Sequence, residues 1–86
     1  MRKYKIIVLS GQKIKNNTSE WFIQINEFYS GEIIKIYTFK KKRDMIAIRN
    51  YLNQFENREF NRKLEFESFI NNLFREIRNM IKSLKD

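Results

Sequence analysis

Apolar positions along this chain change their spacing near the middle. Up to about residue 40 they fall in short blocks with two-residue alternation; beyond it they recur every three or four residues. The first pattern predicts strands and the second predicts helices.

Tyr4 to Ser10 reads as a first strand, rich in β-branched residues and bounded by Ser10-Gly11. It can continue through Lys13-Ile14-Lys15. Asn16-Asn17 then suits a two-residue turn, because Asn tolerates the positive φ such turns require. Trp21 to Tyr29 is a second strand, Ser30-Gly31 a second turn, and Glu32 to Phe39 a third strand. With these turns Ile25 falls opposite Ile36, Ile23 opposite Thr38, Phe22 opposite Phe39, Gln24 opposite Tyr37, Phe28 opposite Ile33 and Lys13 opposite Glu20. One face then holds Ile6, Val8, Ile14, Trp21, Ile23, Ile25, Ile34 and Ile36, a core face. The other is mixed: Ile7 and Leu9, the aromatics Phe22, Phe28, Tyr37 and Phe39, and the lysines Lys5, Lys13 and Lys35.

Lys40-Lys41-Lys42-Arg43 leads into a helix, with Asp44 at its cap or first turn and an apolar stripe of Met45, Ile48, Tyr51, Leu52 and Phe55. Glu56 to Lys63 is the connection. The last segment, Glu65 to Lys85, repeats Phe66, Ile70, Leu73, Ile77, Met80 and Leu84 at steps of four and three, which predicts a helix of about 30 Å. Phe69, Phe74 and Ile81 widen its stripe. The expected fold is α+β, a three-stranded antiparallel meander (residues 1–40) followed by two helices (residues 41–86), the last the longest, in one domain over residues 1–86.

At 86 residues the chain has room for one core. It contains no cysteine, so that core has no disulfide or thiolate metal site to support it. Its longest apolar run, Ile6 to Leu9, is too short to span a membrane. The basic residues before that run mimic an export signal, but the run stops at Ser10-Gly11-Gln12-Lys13, which argues against one. A reducing, cytoplasmic compartment is the default expectation.

The formal net charge is +8, and it is unevenly spread. Residues 1–15 carry five basic residues and no acid, residues 40–63 eight basic and three acidic, and residues 64–86 four of each. The excess sits at the start and middle of the chain rather than on the long helix. Catalysis is disfavoured: there is no histidine for near-neutral proton transfer, no cysteine nucleophile and no phosphate-cradling glycine loop. Glu65 and Glu67 point to different sides of a helix, and Glu56 and Glu59 lie beside Arg58 and Arg62 as on a solvated surface. No metal or cofactor is therefore expected.

The basic run Lys40 to Arg43, with Arg49 further along the helix, suits phosphate contacts. Lys5, Lys13 and Lys35 on the mixed face add to it. Phe22, Phe28, Tyr37 and Phe39 are either base-stacking or protein-contact residues, or they lie beneath a helix or a second subunit. The first reading is a non-catalytic protein that binds nucleic acid, DNA or RNA, or a nucleoprotein complex. The second is a protein-binding inhibitor or adaptor acting through an apolar or aromatic surface. A mobile element's antagonist of a host defence complex, of the anti-CRISPR type, is one example. The third is a structural homodimer subunit, with Phe69, Phe74 and Ile81 as the dimer or partner face of the long helix.

Overall fold

The computed structural model describes residues 2–84. Three strands, β1 (Ile6–Lys15), β2 (Thr18–Glu27) and β3 (Ile33–Phe39), form an antiparallel sheet in the order β1-β2-β3. Two helices follow, α1 (Lys42–Asn53) and the longer α2 (Lys63–Leu84). This is the expected α+β meander with its longest helix last. Lys85, where the apolar repeat placed the helix end, lies outside the described residues.

The β1–β2 hairpin follows its turn chemistry. Asn16 and Asn17 have φ of 53° and 66°, the left-handed pair that matches strand twist, and Lys13 pairs with Glu20. The β2–β3 connection differs from expectation. Glu27 N–H donates to the Glu32 carbonyl, so four residues, 28–31, form the loop, with Gly31 at φ 75°. Asn26 then pairs with Ile33, but Ile25 pairs with Lys35. Ile34 is an extra residue, a bulge, and beyond it the parity of β3 is reversed.

Five cross-strand rows therefore make the face turned to the helices: Ile6–Glu27, Val8–Ile25–Lys35, Ser10–Ile23–Tyr37, Gln12–Trp21–Phe39 and Ile14–Ser19. The expected core position Ile36 is on the opposite face and 51% exposed, while Phe39 is buried. Tyr37 packs edge-on to Phe74 of α2, with ring centroids 6.4 Å apart. Ile14 shares the covered face but lies beyond the reach of the helices, near the hairpin tip, and is 73% exposed.

Met45, Ile48 and Leu52 of α1 and Phe66, Ile70, Leu73 and Ile77 of α2 are buried with Ile6, Val8, Ile23 and Ile25. Burying each such side chain contributes about 1.5–3 kcal/mol. Phe60, in the connection, is tied to Tyr4 by two backbone hydrogen bonds of 2.7 and 2.8 Å and closes this end of the core. Among the described residues no helix is long and apolar enough to cross a membrane.

Candidate functional site

Strand pairing brings the basic segments to one end of the molecule. Lys40 continues β3 immediately past Phe39, and Phe39 pairs with Trp21. The next pair outward on the hairpin is Lys13–Glu20, followed by Ile14–Ser19 and Lys15–Thr18. Lys13, Lys15, Lys40, Lys41, Lys42 and Arg43 thus cluster where β3 ends beside the hairpin arm, and all six are exposed. Their acidic neighbours are Glu20 and Asp44. Asp44 Oδ1 lies 3.8 Å from Arg43 Nε at the surface, a contact too solvated to neutralise the cluster.

Two local features fix the cluster. The Lys42 ammonium lies 5.3 Å from the centre of the Trp21 ring, which holds the start of α1 against β2. Lys41 is the N-cap residue and offers no side-chain cap; the Asp44 N–H donates to the Lys41 carbonyl at 3.2 Å, which leaves the Lys42 and Arg43 N–H groups without a side-chain cap. Charge and helix dipole have the same sign there, and both favour an anion.

The other sequence-predicted residues go elsewhere. Arg49 is half-buried and bound within the fold. Its Nη1 donates to the Val8 carbonyl at 2.6 Å and its Nε to Asn53 Oδ1 at 3.0 Å, while Nη2 lies 3.4 Å from Glu56 Oε1. Lys5 is at the opposite end of the sheet, its ammonium 4.6 Å from the Phe28 ring centre. Lys35 sits by Tyr37 on the helix-facing side because of the bulge, 5.7 Å from that ring, rather than with Lys5 and Lys13.

The four aromatics divide in the same way. Phe22 and Phe28 are on the open face, whereas Phe39 and Tyr37 are on the covered one. Burial under α2 pushes the Tyr37 hydroxyl pKa up, with the Arg78 charge opposing. Phe69, Phe74 and Ile81 are partly buried against the chain's own core. Phe69 joins Phe55, Phe60 and Phe66 in an aromatic cluster over which the Arg58 guanidinium lies, 5.0 Å from Phe60 and 5.5 Å from Phe69.

Sequence reasoning missed Trp21 as a member of the basic end. Its position four residues beyond the asparagine turn, level with the end of the third strand, was the available signal. The exposure of Ile33 and Ile36 had no signal, because β3 is apolar at both parities. Among the described residues no group of three or more histidine, cysteine, aspartate or glutamate side chains is gathered to hold a metal ion. Comparison of the chain with protein-family models, with curated proteins and with solved structures found no match.

Proposed function

We propose that this protein is a non-catalytic binding protein that contacts nucleic acid, alone or within a nucleoprotein complex, through the basic end of its sheet. One observation carries the reading: six cations from two separate stretches of sequence lie at the same end of the sheet, along the hairpin arm and at the start of α1. Phosphates spaced along a backbone suit such a cluster, since each neutralised phosphate releases counterions. The contacts are with phosphate and position the protein; base readout is not part of the reading.

Fluorescence anisotropy on labelled single- and double-stranded DNA and RNA, over a salt series, tests it. Binding falls steeply with salt in the wild-type protein. Changing Lys40, Lys41, Lys42 and Arg43 together to Ala flattens the slope of log K against log salt by roughly 2–4, one contact removing about 0.7–0.9. Trp21 is the chain's single tryptophan and lies beneath Lys42, so its emission is an independent reporter at the site. No binding at low salt, or a slope unchanged in the fourfold variant, would refute the proposal.

A further inference from the structure

The face of the sheet turned away from the helices has an uncharged middle. Three cross-strand rows cover it: Ile7–Asn26–Ile33, Leu9–Gln24–Ile36 and Gly11–Phe22–Thr38. None of these nine positions is ionisable, in a chain that is 33% charged. Charge resumes at the two ends of the face, with Lys13 opposite Glu20 and Lys5 resting on the Phe28 ring. Leu9, Phe28, Ile33 and Ile36 are 44–54% exposed there. A monomer rarely leaves aliphatic and aromatic side chains contiguous in water over a whole sheet face.

Two details prepare this surface for burial. Gln24 Nε2 donates to Asn26 Oδ1 at 3.0 Å, so the two amides in the middle already satisfy part of each other's hydrogen bonding. The Phe22 ring crosses Gly11 so closely that a Cβ there would stand 3.2 Å from the ring, which flattens the face. A flat surface whose amides already meet part of their hydrogen bonding loses less when a second sheet covers it.

We propose that this face is a homodimer interface in which two copies of the chain pack sheet against sheet. Charge selects the occupant. At +8, copies repel each other wherever cations are brought together, and this broad face allows a two-fold pairing that brings uncharged rows onto uncharged rows. A nucleic-acid strand is a poorer occupant of the middle rows, which hold no cation and, among Leu9, Ile33 and Ile36, the single ring of Phe22. Three strands of about seven residues make a face of roughly 15 by 23 Å. Paired over this footprint, two copies cover about 700 Å² in projection, below the roughly 1,200–2,000 Å² of stable interfaces, so the dimer is a weak, concentration-dependent one. The proposal does not depend on the nucleic-acid reading, since the basic end lies at the edge of this face.

Sedimentation velocity over a wide concentration range tests it, at physiological and at high salt. The wild-type protein approaches twice the chain mass as concentration rises. Ile36→Glu raises the dimer dissociation constant about a hundredfold or more by placing a carboxylate in each half of the contact. Leu64→Glu, at a 79% exposed position at the start of α2, leaves it unchanged. Far-ultraviolet circular dichroism checks folding, and Leu9→Glu on the far strand gives the same reading if Ile36→Glu does not fold. A monomer at every concentration and salt, or a dimer indifferent to both Ile36→Glu and Leu9→Glu, would overturn the proposal.

Discussion

Glu27 shows how one side chain can organise a turn. It is 3% exposed and ionisable, an arrangement that is costly unless its oxygens are satisfied. They are: Oε2 accepts from the Lys5 N–H at 3.1 Å and the Tyr29 N–H at 3.0 Å, and Oε1 accepts from the Ser30 N–H at 2.8 Å. Burial pushes the carboxyl pKa up, but the backbone donors of Tyr29, Ser30 and Lys5 outweigh it and hold the pKa below its ordinary value of 4.5. A folded-state pKa below the unfolded one contributes stability that is present above the unfolded pKa. That stability is lost as pH falls through the folded pKa. Urea midpoints measured down a pH series therefore stay flat to about pH 5 and then drop. Glu27→Gln lowers stability at neutral pH by about 1–3 kcal/mol, because it loses the charge-assisted bonds. The variant also has a shallower acid limb. What remains of that limb includes Glu59, whose pKa is lowered chiefly by the hydroxyl that Tyr29 donates to it at 2.5 Å. Parallel pH profiles for wild type and variant would contradict this role.

At the scale of elements, β2 and both helices were legible because their apolar positions largely keep one period, and β1 because a β-branched run meets Ser10-Gly11 and the asparagine turn sets its register. Strand β3 was not: Ile33, Ile34, Ile36, Tyr37 and Phe39 leave neither parity clearly polar, so alternation could not choose a face. Packing makes the choice. The bulge at Ile34 turns the larger side chains Tyr37 and Phe39 toward the helices and leaves Ile36 outside. The same reversal moved Lys35 away from the lysines it was expected to join. The basic run could be read as exposed from its composition, whereas the role of Arg49 could not, because its partners are 41 residues away at Val8 and seven away at Glu56. Arg49 bolts α1 to the outer edge of β1, meeting a carbonyl there that no neighbouring strand can satisfy. Glu56 Oε1 is buried and has no hydrogen-bond partner, so the Arg49 charge 3.4 Å away is its compensation. Arg49→Ala should cost about 2–4 kcal/mol, combining a lost charged hydrogen bond with an uncompensated carboxylate. It should also raise amide exchange along β1 while leaving the salt slope of nucleic-acid binding unchanged. A cost below about 0.5 kcal/mol, the range of ordinary surface substitutions, would return Arg49 to the set of free cations.

The whole molecule is long and electrically lopsided. Its Cα radius of gyration is 13.8 Å, against about 12 Å for an ordinary domain of this length. The excess comes from the hairpin arm beyond the Gln12–Trp21–Phe39 row and from the 22-residue α2. Folding brings Lys13 and Lys15 to the same end of the sheet as the run Lys40 to Arg43, while in the unfolded chain these two groups are 25 residues apart. The native state therefore carries more self-repulsion than the unfolded one, and exposed pairs such as Lys3–Glu59, 3.5 Å apart, offset little of it. Added sodium chloride should then stabilise the protein, with most of the gain below about 0.3 M, where the screening length shrinks to the spacing of neighbouring lysines. Changing Lys40, Lys41, Lys42 and Arg43 to Ala should raise low-salt stability by about 1 kcal/mol, the usual scale for a few exposed charges, and flatten the salt dependence. A polyanion such as heparin should raise the unfolding temperature more than sodium chloride at equal ionic strength, because it binds the native cluster as well as screening it. Stability that falls as salt is added would mean that attractive pairs outweigh the crowded cations. Equal effects of heparin and sodium chloride would mean that the basic end is a surface rather than a site.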